Sequence, residues 1–176
     1  MITTSRLKLK LPQDGDLVTP EDANGNFQTI ESYITTLTQA ASAYAPSALN
    51  LTNQYKAVSF GSLTRTGYAL SLSGGGIRTS EPGFVRVHLH VYANSLPAGD
   101  SLEARICKNG VSVSDSEYTA VDSDSTYVIV DLVSRLIPVA ANDVLTMSVR
   151  NWEYVRGKIV PDSTHMTVDL FKNLNY

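Results

Sequence analysis

One change of hydrophobic period constrains the fold of this 176-residue chain more than any other feature. Between residues 23 and 44 the apolar positions Ala23, Phe27, Ile30, Ile34, Leu37, Ala41 and Tyr44 follow steps of 4, 3, 4, 3, 4 and 3. That is the a/d seam of a heptad, narrower than the stripe of a helix lying on a globular core. Thr19-Pro20-Glu21-Asp22 supplies the start of a helix: a capping hydroxyl, proline at the first helical position, and acids at the positive end of the dipole. Ala45-Pro46-Ser47-Ala48 supplies its end. Gly25 and Thr35-Thr36 lower intrinsic helicity, so the helix is expected to persist through partners. Ile30 at d and Ile34 at a favour three strands over two. The competing reading is an amphipathic helix folded back on the domain that follows.

From about residue 54 the period drops to two. Strands are predicted at Tyr55–Phe60, Tyr68–Ser71, Gly83–Tyr92, Ser101–Lys108, Tyr127–Leu136, Asp143–Asn151 and Thr164–Lys172. Turns fall at Ser73-Gly74-Gly75-Gly76, Glu81-Pro82-Gly83, Leu96–Asp100 and Lys108-Asn109-Gly110, the last being the strongest hairpin signal. This spacing predicts a sandwich or jelly roll. Ahead of the helix, Leu7-Lys8-Leu9-Lys10-Leu11 alternates over five residues and is closed by Pro12, as in an extended arm or short strand. The expected organisation is an arm at 1–19, a helical stalk at 20–45, a linker at 46–53 and a β domain at 54–176.

Composition narrows the function. Apolar residues make up 43% and charged residues 18%, enough for a core and too apolar for a disordered chain. A net charge of −3 without a basic stripe argues against nucleic-acid binding. Cys107 is the only cysteine, so no intrachain disulfide is available. The opening Met1–Arg6 lacks a basic segment followed by an apolar one, and no apolar run approaches a membrane span. A protein made in a cytoplasm, without signal peptide or membrane insertion, is expected.

The strings Gly83–Tyr92 and Leu102–Gly110 resemble the central strands of complement C1q and tumour-necrosis-factor-like jelly rolls. Leu136–Val149 resembles the loop and strand before that family's last strand, and Met166–Phe171 the last strand itself. Where the family usually has Gly before the aspartate matching Asp143, this chain has Asn142. The resemblance covers residues 54–176 and implies a ten-stranded, mainly β jelly roll that trimerises through one sheet. A second stretch resembles the attachment segment that opens many bacteriophage tail-associated and fibre proteins. It comprises Arg6-Leu7-Lys8-Leu9-Lys10-Leu11-Pro12, Asp16-Leu17-Val18 and Asn24–Glu31, and it implies Arg6, Leu7, Leu9, Leu11 and Pro12 as a virion anchor.

Along residues 84–92, Val85, Val87, Leu89 and Val91 alternate with Phe84, Arg86, His88, His90 and Tyr92. Met166, Val168 and Leu170 alternate likewise with His165, Thr167, Asp169 and Phe171. The resemblance makes these two strands neighbours in the sheet that trimers share. All three histidines then lie on the intersubunit face, with Arg86 pairing Asp169 or Asp131 and Phe84, Tyr92 and Phe171 supplying apolar area. Imidazoles near a three-fold axis suit an ion or a pH response, or simply hydrogen-bonded packing. No His-Glu-x-x-His spacing supports a metal, Asp122-Ser123-Asp124-Ser125 lacks the pattern of a calcium loop, and Gly74-Gly75-Gly76 lacks the Lys-Ser/Thr of a phosphate cradle. Cys107 reads as an inert thiol. With no nucleophile elbow or paired-acid motif, neither catalysis nor a cofactor is expected.

Together the two resemblances imply a homotrimeric virion fibre or spike. Its N-terminus would contact other virion proteins, and its tip loops at 94–99, 115–126 and 154–163 would meet a host-surface glycan or protein. A capsid head fibre or decoration without a receptor, and a non-virion assembly scaffold, stay open as alternatives.

Overall fold

The computed structural model describes residues 2–3, 9–11, 19–97, 99–121, 127–152 and 156–172. The chain divides into two compact units, residues 1–38 and 39–176.

In the first unit, β1 (Ile2–Thr3) pairs antiparallel with β2 (Lys10–Leu11). Leu11 of the predicted anchor sits in β2 and Leu9 just ahead of it, while Arg6, Leu7 and Pro12 lie outside the described residues. Helix α1 spans Pro20–Leu37. Thr19 caps it as its sequence promised: Oγ1 accepts from the Asp22 backbone N–H at 3.2 Å and donates to Asp22 Oδ2 at 3.0 Å. Phe27, in the seam, is 70% exposed. No helix among the described residues is long and apolar enough to cross a membrane.

The helix ends seven residues before the expected Tyr44. Thr38–Tyr44 is instead strand β3, the first strand of the second unit's sandwich. Ala41 and Tyr44, expected in the coiled-coil seam, therefore belong to a sheet: Ala41 is buried in the sandwich core and Tyr44 lies on the opposite face. The reason is local. Gln39, Ala41, Ala43 and Ala45 are buried at a period of two, the period of a strand with one face in the core. The β-branched Thr35, Thr36 and Thr38 favour the change from helix to strand. The helix thus spans 18 residues, about 27 Å at 1.5 Å per residue. The linker expected at 46–53 is part of the sandwich too, since β4 (Leu49–Asn50) pairs with a later strand and Leu51 is buried.

The remaining strands are β5 (Lys56–Val58), β6 (Ser62–Arg65), β7 (Leu70–Ser73), β8 (Gly76–Thr79), β9 (Gly83–Asn94), β10 (Ser101–Lys108) and β11 (Val111–Val121). They continue with β12 (Tyr127–Val133), β13 (Ile137–Val139), β14 (Val144–Asn151), β15 (Lys158–Ile159) and β16 (His165–Lys172). Two sheets result. One runs β11-β10-β14-β8-β7, with β5 also on β14. The other centres on β9, with β12 and β13 along one edge and β16 and β15 along the other, continuing through β3 to β6. The described strands outnumber the ten expected because several jelly-roll strands are interrupted. Between β12 and β13, for example, Ser134 Oγ accepts from the Val87 N–H at 2.9 Å, and the Ser134 N–H donates to the Val87 carbonyl at 2.8 Å.

The core fills the space between the sheets. Val85, Val87, Leu89 and Val91 of β9 and Met166, Val168 and Leu170 of β16 meet Leu102, Ala104 and Ile106 of β10 and Leu145, Met147 and Val149 of β14, all fully buried. Burying each large apolar side chain contributes about 1.5–3 kcal/mol. Asn109 and Gly110 turn the β10–β11 hairpin with φ of 52° and 80°, the left-handed pair that a two-residue loop requires. Asn142 takes φ 73°, filling the place where the resembled family has glycine, as asparagine can. Asp115–Val121, expected in a loop, belongs to β11; residues 122–126 lie outside the described residues.

Candidate self-association face

The outer face of the β9-centred sheet gathers the residues that alternation had turned away from the core. Antiparallel register sets His165 opposite His90, Thr167 opposite His88, Asp169 opposite Arg86 and Phe171 opposite Phe84. On the other edge of β9, Asp131 of β12 stands opposite His90 and Ile129 opposite Tyr92. The three histidines thus form one cluster. The His90 and His165 rings stack at 5.0 Å and 24°, His88 meets His165 edge-on at 6.4 Å, and Tyr44 of β3 lies 5.4 Å from His165 on the far side. Beyond them Ser42 Oγ and Thr167 Oγ1 share a hydrogen bond of 2.9 Å, and Tyr92 stacks on Tyr127 at 5.8 Å.

Asp131 is the acid of the cluster. An ionised carboxylate only accepts, so His90 donates from Nδ1 to Asp131 Oδ1 at 2.7 Å. His88 Nε2 lies 3.6 Å from the same oxygen. Burial, and then the neighbouring His90 and His88 imidazoles, hold His165 below the ordinary histidine value of 6.5. A hydrogen bond involving the Ser163 backbone and the Asp131 charge act in the opposite direction.

Within one chain Arg86 stands apart from Asp131. Register gives Asp131 to His90, four residues from Arg86 along β9, a separation of about 13 Å at 3.3 Å per residue. Arg86 and Asp169 do stand opposite each other, but no ion pair joins them among the described residues.

The reading from sequence missed the largest apolar feature of this face. Tyr127, Ile129 and Val133 of β12 point outward and are 50%, 44% and 59% exposed, while Val128, Val130 and Leu132 point into the core. The signal was present. Tyr127–Val133 is apolar at six of its seven positions, the pattern of a strand covered on both faces.

The other sheet treats its outer face differently. The Arg105 guanidinium lies 3.6 Å from the Tyr55 ring centre, and Arg150 lies 4.4 Å from Tyr55 and 3.9 Å from Trp152. Glu103, 8% exposed, accepts from Tyr55 Oη at 2.9 Å and from Arg150 Nε at 2.6 Å. Cys107 lies on this face as well, buried, with Sγ 3.6 Å from Ser148 Oγ.

Among the described residues no three of His, Cys, Asp and Glu gather in a way that could hold a metal ion. Surface depressions at Val113–Ser114 with Ser134–Pro138, and at Asn50–Thr52 with Ser95 and Arg156–Lys158, pair no nucleophile with a base among those residues.

Comparison with solved structures gives the same architecture. Murine APRIL, crystallised at pH 5.0, superposes with a TM-score of 0.56 and 14% identity, covering 76% of this chain and 99% of that one. Its structure at pH 8.5 gives 0.54 and 11% over the same shares. No family model matches the chain, and no curated protein does. At such identities the likeness establishes the fold, a mainly β jelly roll of the tumour-necrosis-factor type.

Proposed function

We propose that this chain is a structural protein that works as a homotrimer, its jelly roll associating through the outer face of the β9-centred sheet. One observation carries the proposal: β12 has the composition of a strand buried on both faces, yet Tyr127, Ile129 and Val133 are exposed in the single chain. Soluble monomers seldom leave such a ridge uncovered, and further copies of the same chain are the simplest cover. The C1q/TNF-like fold favours three copies, as do Ile30 at d and Ile34 at a of the helix and the exposure of Phe27 on it. Mass measurement at micromolar concentration tests this directly. A trimer is expected, and a monomer overturns the proposal.

The particle-level reading rests on the attachment-like segment. The trimer is a bacteriophage fibre or spike, its N-terminal unit docked in the virion and its jelly roll presented to the host surface, without a catalytic role. Deleting residues 1–38 is expected to leave a folded jelly roll that no longer enters particles; incorporation of the truncated chain overturns the anchor. Glycan-array binding by the trimer is expected for a host-attachment tip, whereas its absence points to a capsid decoration of the same build.

A further inference from the structure

We propose that the His88–His90–His165 cluster makes assembly through this face pH-dependent, holding the copies together when the imidazoles are neutral and releasing them as folded single chains on acidification. The inference rests on the trimer reading above and adds its regulation.

The geometry places every histidine of the chain on the association face: His88 and His90 each lie against His165, and both lie beside the Asp131 carboxylate. The charged and titratable groups around His165 are few. From β9 come His88 and His90, from β12 Asp131, and from β3 Tyr44. Arg86 and Asp169 lie further along the face, opposite each other and opposite in sign. Neutral imidazoles stack and tolerate cover. Protonated, His88 and His90 place two cations beside Asp131 and His165 adds a third against them in each chain, so a trimer would gather nine cations with three such carboxylates. Bringing copies together removes water that would otherwise solvate these charges, so association and protonation oppose each other.

The sign follows from His165. Its value already lies below 6.5 in the single chain because of burial and its two imidazole neighbours, and cover by another copy lowers it further. The free chain therefore binds more protons than the assembled one once pH falls through its own, already lowered value, and association weakens from there down to the value in the assembled chain. For one proton per chain, the weakening is about tenfold per pH unit per chain within that window. The sandwich persists because the core beneath the face is apolar: Leu89, Val91, Met166 and Val168 carry no titratable group.

Sedimentation velocity of the full chain from pH 8 to pH 5, with circular dichroism on the same samples, tests the inference. The expected result is a trimer at pH 8 and folded monomer at pH 5. His165→Phe keeps the stack, removes one proton site and is expected to move the dissociation midpoint to lower pH. Asp131→Asn removes a charge that holds the His165 value up in the free chain and is expected to move it to lower pH as well. A monomer at pH 8 overturns the trimer reading itself. A trimer of unchanged affinity at pH 5 overturns only the pH dependence. Two further results also overturn it: loss of the β signal along with dissociation, or a midpoint that neither substitution moves.

Discussion

The outer faces of the two sheets solve the same problem in opposite ways. On the β10–β14 sheet, Arg105, Tyr55, Arg150 and Trp152 stack on one another and Glu103 fastens two of them, so charge and rings are tied together within one chain, Trp152 staying 54% exposed. On the β9-centred sheet, the apolar ridge of β12 and a stack of imidazoles end in solvent. A face built of charge and aromatic area in alternation is complete when wet. A face of bare aliphatics and neutral imidazoles is complete only when covered.

The contrast can be broken first at the ridge. Replacing Ile129 and Val133 with arginine is expected to weaken association by more than about 100-fold, since an unpaired charge at an interface costs several kcal/mol. The chain should stay folded, because both side chains point away from the core. Light scattering alongside thermal unfolding checks both halves; an undiminished trimer removes β12 from the interface. On the β10–β14 face the expectation reverses. Glu103→Ala removes the two hydrogen bonds that its carboxylate accepts from Tyr55 Oη and Arg150 Nε and is expected to cost about 1.5–3 kcal/mol of folding stability with no change in mass. Dissociation in that variant would show that both faces take part in assembly.

Two smaller effects sharpen the comparison in the monomeric arginine background. Asp143 accepts from the Ala140 N–H and from Asn109 Nδ2 at 2.8 and 2.7 Å, and these bonds, with Lys108, hold its carboxyl below the usual 3.8 despite burial. A lowered carboxyl stabilises the fold above 3.8, and that contribution is lost as pH falls through the lowered value. Asp143→Asn should therefore cost about 1 kcal/mol at pH 7 and flatten the acid side of the urea-unfolding profile. It acts on folding below pH 4, well separated from the histidine effect on assembly. Smallest is Cys107, 2% exposed, which is expected to resist thiol reagents in both trimer and monomer and to react on unfolding. Reactivity that appears on dissociation would place the β10–β14 face in the interface.

Much of this was legible in the residues. The period of two located core strands at Gly83–Tyr92, Ser101–Lys108, Asp143–Asn151 and Thr164–Lys172 and separated the faces of the first and last, and Asn109-Gly110 located a hairpin. Three things were not legible, each because two patterns coincide. Ala41 and Tyr44 satisfy both the heptad and the strand period, so β3 was hidden within the helix. Tyr127–Val133 is apolar at even and odd positions alike, so alternation could not assign its faces. The polar stretch Asp115–Thr126 reads as a loop, but Asp115–Val121 continues β11, the edge strand of its sheet. Pairing partners across the face depended on register, which a single sequence does not display; hence Asp131 met His90 and not Arg86.

The join at Leu37–Thr38 bears on how the protein carries load. With helix passing directly into a strand, tension applied to the N-terminal unit enters the sandwich along β3, which lies between β16 and β6 and so is held on both edges by backbone hydrogen bonds. Tension that reaches β3 is therefore resisted by the ladders on both of its edges, while the helix ahead of it, with its low intrinsic helicity, is the segment that extends first.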